Sequence, residues 1–212
     1  MLGANDGIVS TAGLVVGVAG ATTSTTAILT AGVAGLTAGA VSMALGEYVS
    51  VSSQRDSEQA LLAKERAELA ASPEDELDEL AALYVDKGLR PETAKLVAAE
   101  LTERDAFAAH AEAELGIDPD ELTNPWHAAG ASALAFTVGA LLPLVAILLP
   151  PPGIRVPVTF AAVLLALAGT GVLSARLGQT RWAPAVSRLV VGGAIAMAVT
   201  FGIGQLVGSS VF

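Results

Sequence analysis

The sequence contains no cysteine among its 212 residues, which excludes disulfides, thiolate metal ligands and cysteine nucleophiles. Aromatic residues make up only 4% of the chain and charged residues only 15%, whereas 53% of the residues are hydrophobic. Basic residues are also few, 11 against 21 acidic ones, and the formal net charge of −10 argues against nucleic acid as a partner. This composition is typical of an integral membrane protein.

The acidic residues are concentrated in one part of the chain. Of the 21 acidic residues, only Asp6 and Glu47 lie outside residues 55–125. That segment also holds seven basic residues. This pattern predicts a water-exposed acidic domain set between membrane segments. We therefore divide the chain into residues 1–53 with two membrane spans, residues 54–123 as an acidic helical insert, and residues 124–212 with three further spans.

Five apolar stretches are long enough to cross a membrane as helices. The predicted spans are Gly7–Ala21 with residues 1–5 ahead of it, Ala27–Val51, Trp126–Leu149 with a kink at Pro143, Val156–Ala175 and Leu189–Val211. Good helix formers follow Val51 without a breaker, so the second span is expected to continue into the insert. Met1 leads directly into apolar sequence, from which we expect a short polar N-terminal segment to be missing.

Helical periodicity also runs through the insert. Three helices are predicted there: Gln54–Ala71, Pro73–Asp86 with Ser72 as its cap, and a run from Arg90-Pro91 to about Leu115. The predicted fold is therefore all-α, with five membrane spans and a three-helix acidic insert between the second and the third.

The basic residues predict the orientation in the membrane, because Lys and Arg are enriched on cytoplasmic loops. Seven lie in the insert, and the loop predicted between the last two spans holds Arg176, Arg181 and Arg188. Only Arg155, in the turn before the fourth span, is expected on the opposite side. The insert is therefore predicted to be cytoplasmic and the C-terminus to lie on the far side.

Two acidic residues lie in or beside the predicted spans, where a carboxylate is costly and usually faces a pathway or a partner. Asp6 stands near the start of the first span, so it fits either a helix cap with Asn5 or a transport role. Glu47 follows Met43 by one helical turn on the second span. Met43 alone fits a packed apolar position as well as a metal contact. Asp6, Met43 and Glu47 are the candidate transport pathway.

The insert carries pairs of metal-ligating residues that share a helical face. The pairs are Glu65 with Glu68, Glu76 with Glu79, and His110 with Glu114. Like charges on one face destabilise a helix unless a cation neutralises them, which favours a metal site, although a solvated acidic face also fits any single pair. Oxygen and imidazole ligands suit Fe²⁺ or Mn²⁺, and also Zn²⁺ or Co²⁺, rather than Cu⁺.

Signatures of common enzymes are missing from the sequence. It has no nucleophile elbow, no glycine-rich phosphate loop, and no HExxH motif at His110 or His127. A di-iron carboxylate enzyme would be expected to show two Glu-x-x-His repeats, and the chain has none. We therefore predict a protein that is not an enzyme and has no organic cofactor.

Three segments resemble the vacuolar iron transporter family: NDGIVSTAGLVVGVAGA near the start, AGAVSMALGEYVSVSSQRDSE on the second span and FAAHAEAELGI before the third. The resemblance covers nearly the whole chain, and bacterial members of the family are five-span proteins of this layout. It implies a homodimer that exchanges Fe²⁺ or Mn²⁺ for protons. It also implies that Asp6 and Met43 belong to a membrane site and that the cytoplasmic metal-binding domain uses Glu65, Glu68, Glu76, Glu79 and Glu114.

The sequence departs from the family pattern at two places. His110 and Ala111 stand where eukaryotic members have adjacent methionines, so a soft pair is replaced by at most one imidazole. Gly35 stands where some members carry an acidic group on the second span. Both differences bear on metal preference and proton coupling.

These observations predict a proton-coupled antiporter that exports Fe²⁺ or Mn²⁺ from the cytoplasm across a bacterial plasma (inner) membrane. The insert would gather the ions and supply them to Glu47, Met43 and Asp6. A membrane-anchored metal sensor or buffer without transport is the alternative, and in it Asp6 and Met43 are dispensable. A membrane-bound carboxylate enzyme is a third hypothesis, which the missing Glu-x-x-His repeats disfavour.

Overall fold

The structure is a computed structural model that describes residues 2–211, the side chain of Val211 excepted. Met1 and Phe212, which end the predicted first and last segments, lie outside the described residues. Residues 2–211 are all-α as predicted, with seven α-helices, one π-helical segment and no strand. The elements are α1 Leu2–Ala21, α2 Thr25–Ala71, α3 Pro73–Asp86, α4 Pro91–His110, the π segment Ala111–Leu115, α5 Pro125–Leu148, α6 Arg155–Leu177 and α7 Trp182–Val211.

Five of these helices, α1, α2, α5, α6 and α7, are long and apolar enough to cross a membrane. The prediction of five spans is confirmed, and the protein is a multi-pass membrane protein. The chain packs as two compact units. Met1–Tyr48 and Trp126–Phe212 form one, called the membrane unit, and Val49–Pro125 forms the other, called the insert. Helix α2 is a single 47-residue helix that contributes to both.

Helix α1 supplies much of the core of the membrane unit. It packs against α6 and α7, which also pack against each other. Val15 and Val16 of α1 are fully buried, together with Ile147 of α5, Leu167 of α6 and Met197 of α7. Large apolar side chains on the outer faces of the helices are exposed, as expected where lipid replaces water as the solvent.

Small residues let α1 and α5 approach closely. A Cβ on Gly7 would overlap the backbone of Phe136, and a Cβ on Gly139 would overlap the backbone of Ala4. The ring of Phe136 in turn lies against Gly39 of α2. Phe136 therefore links three helices around the position of Asp6.

Two connections in the membrane unit differ from the prediction. Arg155 is not a turn residue but the first residue of α6, and it is buried. Its guanidinium donates hydrogen bonds to Thr23 O at 3.4 Å, in the α1–α2 connection, and to Thr25 Oγ1 at 3.1 Å, on the first residue of α2. These partners allow its burial. Helix α7 begins at Trp182 instead of Leu189, so most of the predicted basic loop is helical.

In the insert, α3 packs against α4 and the π segment around a small core of Leu80, Ala81, Ala98 and Ala109. Helix α3 has the bounds that its flanking residues predict, with Pro73 in its first turn. Ser72 stands at the N-cap, but its side chain makes no capping hydrogen bond in the described structure, so that part of the prediction was wrong. Its ψ of 60° departs from the extended backbone that capping residues adopt.

The third predicted helix of the insert is interrupted at Asp105. The backbone there is extended, with φ −164° and ψ 96°, and Asp105 Oδ1 accepts a hydrogen bond from Ala108 N at 3.0 Å. Asp105 therefore caps a new helical segment, which passes through the π segment and ends at Gly116, where φ is 66°. The prediction of one continuous run to Leu115 was wrong because an aspartate side chain competes for backbone N–H groups.

Candidate metal centre

Three metal-ligating side chains from three helices meet inside the insert. Glu65 lies in the second half of α2, Glu76 lies in the first turn of α3, and His110 ends α4. One potential ligand atom of each lies within 4.8 Å of the others. All three residues are buried, with exposed fractions of 2% for Glu65, 9% for Glu76 and 0% for His110. Carboxylates are rarely buried to this extent unless they are paired or bind a cation.

The imidazole of His110 stands at the middle of this group. Its Nδ1 lies 3.0 Å from Glu65 Oε1 and 3.7 Å from Glu76 Oε2. Glu114 follows in the π segment, with its Oε2 4.0 Å from the same nitrogen and its side chain 28% exposed. Three carboxylates therefore surround one ring nitrogen, and Glu114 is the member that water reaches best.

Several polar atoms of the centre have no hydrogen bond. Within residues 2–211, Glu65 Oε1 and both ring nitrogens of His110 are buried and unpaired. Nδ1 and Oε1 are close, but their contact lacks the geometry of a hydrogen bond. An unpaired buried polar atom costs about 1–3 kcal/mol. A cation between Nδ1 and the carboxylates would remove this cost for Nδ1 and for Glu65 Oε1, and the donor set suits Fe²⁺, Mn²⁺, Zn²⁺ or Co²⁺.

Burial and mutual repulsion raise the pKa values of these carboxyl groups. The pKa of Glu65 rises to about 7 because burial removes its water and because Glu114 and Glu76 add negative charge nearby. Burial also raises the pKa of Glu76, and the charge of Glu79 raises it further. A bound cation would relieve this repulsion, so metal ions and protons compete for the centre.

The other two predicted ligands, Glu68 and Glu79, are more exposed. Glu68 accepts a hydrogen bond from Lys64 Nζ at 2.9 Å, and its side chain is 41% exposed. Glu79 is also exposed. Both act on the centre through their charge, Glu68 on the pKa of Glu65 and Glu79 on that of Glu76. Each predicted glutamate pair thus contributes one buried and one outer carboxylate.

In the membrane unit, Asp6 lines a cavity of about 200 Å³ between α1, α2 and α5, with Ser10, Thr11 and Ser42 as its other polar residues. Asp6 lies inside α1, which already begins at Leu2, so the alternative that it caps the helix is wrong. Its backbone oxygen accepts a hydrogen bond from Ser10 Oγ at 2.6 Å, one turn further on. Asp6 itself is exposed in the single chain.

Met43 and Glu47 lie one turn apart on α2, as predicted from their spacing. Neither is among the described residues that line the cavity of Asp6, where Ser42 supplies the polar group of α2. Met43 is half-buried and Glu47 is exposed. In one chain the structure thus brings Asp6 together with hydroxyl groups, and not with the thioether or the second carboxylate.

Sequence reasoning missed the cavity hydroxyls and the helix break at Asp105. A signal existed for Ser10, which follows Asp6 at helical spacing, and for Asp105, whose residue type favours a helix start. Thr11 and Ser42 gave no signal, because small hydroxyl residues are common wherever membrane helices pack.

Comparison with known proteins identifies the family. The sequence model of the VIT family matches residues 1–205. The vacuolar iron transporter of Acanthamoeba castellanii is 42% identical over 207 residues, which cover 97% of this chain and 76% of that protein. Vacuolar iron transporter homolog 1 of Oryza sativa subsp. japonica is 39% identical over 209 residues, covering 98% and 72%. Vacuolar iron transporter homolog 4 of Arabidopsis thaliana is 37% identical over 210 residues, covering 99% and 82%. The chain therefore belongs to the VIT family, as its sequence motifs predict.

Proposed function

We propose that this protein exports Fe²⁺ or Mn²⁺ from the cytoplasm in exchange for protons. Its relatives are named iron transporters. The observation that carries the proposal is the buried group of Glu65, Glu76 and His110, whose unpaired atoms match the needs of a divalent cation. In this proposal the insert binds ions from the cytoplasm, and Asp6, Met43 and Glu47 form the pathway through the membrane unit.

The carboxyl groups of Glu65, Asp6 and Glu47 provide a route to proton coupling. Glu65 has a pKa of about 7, so near neutral pH an arriving ion displaces a proton from a substantial fraction of the molecules. Asp6 and Glu47 would bind the ion in their deprotonated forms. They would take up protons from the far side when the ion leaves, and so couple the two movements.

The distribution of basic residues supports a cytoplasmic insert. Arg155 is buried, so it does not count as an exposed charge on the opposite side, and the asymmetry in exposed basic residues is larger than the sequence predicts. The relatives are named vacuolar transporters. We propose that this protein lies in a bacterial plasma membrane. Export of an ion across that membrane and transport of an ion into a vacuole have the same direction, away from the cytoplasm.

We further propose a homodimer. The apolar stretch of α2 is only 11% buried, the least of the five candidate spans. Its exposed side chains include Leu29, Val33 and Val41. A second copy packed against this face of α2 would bring two copies of Asp6 and Met43 together, which doubles the number of ligands for one ion.

Flux measurements on the full-length protein in proteoliposomes test this function. We expect Fe²⁺ or Mn²⁺ flux that a pH gradient drives, loss of flux in Asp6→Asn and Met43→Ala, and normal flux in the control Glu121→Gln, an exposed acid outside the candidate sites. Flux that ignores the pH gradient would contradict antiport. Equal flux in wild type and Asp6→Asn would exclude the proposed pathway.

A membrane-anchored metal sensor or buffer is the second candidate function. The observation that favours it is that Glu65, Glu76 and His110 all belong to the insert, so ion binding there needs no residue of the membrane unit. If the protein is a sensor or buffer, the wild-type protein binds the ions, but proteoliposomes that contain it show no more ion flux than empty liposomes.

A further inference from the structure

An ion needs a route into the centre of the insert, because Glu65 and His110 are buried. Two of the four side chains around the centre, His110 and Glu114, lie within residues 106–115, a stretch that we call the arm. The other two, Glu65 and Glu76, lie on α2 and α3. Movement of the arm alone would therefore separate two of these side chains from the other two and open the centre.

The backbone leaves the helical conformation at both ends of the arm. Asp105 is extended, with φ −164° and ψ 96°, and Gly116 is left-handed, with φ 66°. A Cβ on Gly116 would meet no atom within 4 Å, so the backbone angle and not close packing favours glycine there. Hinges in proteins are a few residues at the ends of elements that absorb changes in backbone angles. Asp105 and Gly116 have the positions that two hinges of the arm need.

The contacts that hold the arm involve little apolar surface. Ala109 and Ala113 are its members of the insert core, and an alanine side chain buries little area. The guanidinium carbon of Arg66 lies 4.2 Å from the centre of the Phe107 ring. Lys87 Nζ donates a hydrogen bond to Ala113 O at 3.1 Å. Both basic residues are exposed, where such contacts are weak, so the arm can open without unfolding the rest of the insert.

The charges of the centre make the position of the arm depend on the ion. Glu65 Oε1 and Glu114 Oε2 lie 3.0 Å and 4.0 Å from the same atom, His110 Nδ1. Two ionised carboxylates so close to one point repel each other, and this repulsion pushes the arm away from α2. A divalent cation between them attracts both and holds the arm against α2. Ion binding and closure of the arm therefore favour each other.

We propose that the arm is a gate that turns about Asp105 and Gly116 to admit and release the ion. Arg66 and Lys87 are positioning residues that hold this gate closed. The inference rests on the proposed function and adds the route by which the ion reaches the same centre. When the arm closes, His110 joins the ligands on α2 and α3. When it opens, the ion keeps ligands from those two helices only and exchanges with the surrounding water.

A cross-link between α2 and the arm tests the gate in the full-length protein in detergent. The chain has no cysteine, so Arg66→Cys with Phe107→Cys supplies the only two thiols, and a short bis-maleimide joins them in the Zn²⁺-loaded protein. Stopped-flow mixing with a chromogenic chelator measures the release of Zn²⁺. We expect release to be at least about tenfold slower than from the same protein with both thiols capped by a monofunctional maleimide. Equal release rates would overturn the gate.

Two further variants complete this test. His110→Ala in the capped protein identifies the release phase of the centre, because that phase should disappear with the imidazole. The same linker between Glu92→Cys and Leu96→Cys, two exposed residues one turn apart on α4 before the break, is the control and should not slow release. Equal slowing by the control linker would also contradict the gate. Slow release from the cross-linked protein, when the wild type carries no flux, would support the gate and contradict the transport function.

Hydrogen exchange of backbone amides tests the hinges without a cross-link. In the chelator-treated protein, amides of the arm should exchange faster than those of residues 92–104 of α4, and bound Mn²⁺ should remove the difference. Arg66→Met and Lys87→Met should each speed exchange in the arm. Lys95→Met removes an exposed cation of α4 before the break and should leave exchange in the arm unchanged. Equal exchange on the two sides of Asp105, both with and without the ion, would overturn the hinge.

Discussion

His110 Nδ1 lies 3.0 Å from Glu65 Oε1, and neither atom has a hydrogen bond within the part of the chain that the structure describes. In the proposed function, these two atoms are ligands of one ion. Because the two residues lie on α4 and α2, an ion bound between them would join these helices. Removing the ion should therefore loosen the insert as well as empty the centre.

Replacement of His110 tests whether its imidazole binds the ion. His110→Ala should weaken the binding of Mn²⁺ or Zn²⁺ to the full-length protein by about 10- to 100-fold, because an inner ligand is lost. His110→Met should shift the preference toward Cd²⁺, since a thioether is a softer ligand. Calorimetric titration in detergent measures both effects, with His127→Ala as the control outside the insert. Affinities equal to that of the control would exclude His110 as a ligand.

The two glutamate pairs offer matched substitutions one turn apart. Glu65→Gln and Glu76→Gln should each reduce metal affinity at least about tenfold more than Glu68→Gln and Glu79→Gln, because the first two lose a buried ligand and the last two lose only nearby charge. The same titration compares all four variants. Equal losses within each pair would instead indicate that both members bind the ion.

The raised pKa of Glu65 predicts how stability depends on pH in the absence of metal. Glu65 has a pKa of about 7 in the folded protein, whereas the ordinary pKa of a glutamate is 4.5. The folded state therefore binds more protons between these values, and the free energy of unfolding falls as the pH rises through this window. Because of the Glu65 carboxyl group, the chelator-treated protein should unfold at a higher Tm at about pH 5 than at about pH 7.5. Thermal unfolding at the two pH values measures this difference.

Glu65→Gln is the control for this pH dependence, since glutamine cannot titrate. The variant should lose much of the difference in Tm between the two pH values. Excess Mn²⁺ should reverse the sign for wild type, because metal binding requires the deprotonated carboxylate and grows stronger as the pH rises. A pH dependence that is the same in wild type and Glu65→Gln would show that another group causes it.

Asp105 should support the centre through the backbone. Asp105→Ala removes the oxygen that accepts the hydrogen bond from Ala108 N, and we expect a loss of about 1 kcal/mol in stability and weaker metal binding. Asp105→Asn keeps a capping oxygen and should retain most of both. Thermal unfolding and metal titration measure the two effects. If Asp105→Ala matched wild type in Tm, the break in α4 would not depend on this cap.

Local signals in the sequence predicted much of the fold. Long apolar runs predicted the membrane helices, and Pro73 marked the start of α3. Arg155 could not be placed in this way, because its burial depends on Thr23 and Thr25, which are far away in the sequence. Hydropathy and helix breakers are local properties, whereas the polar partners of a buried charge are set by the tertiary fold.

The candidate centre was predictable in its residue types but not in its arrangement. Helical spacing pairs Glu65 with Glu68, yet it does not show which of them is buried. That outcome depends on how the helices of the insert pack, and so does the approach of Glu65 to His110. Thr11 is a stronger example, because only the tertiary structure shows that its hydroxyl lacks a partner.

The π segment after His110 makes the length of the chain critical at this point. One residue corresponds to a rotation of about 100° around a helix axis. Deleting Ala113 would allow an ordinary α-helical turn and would reduce the spacing of His110 and Glu114, whose Nδ1 and Oε2 now lie 4.0 Å apart, from four residues to three. Substitution at Ala113 leaves this spacing unchanged. The segment should therefore accept changes of residue type much more readily than a single deletion or insertion.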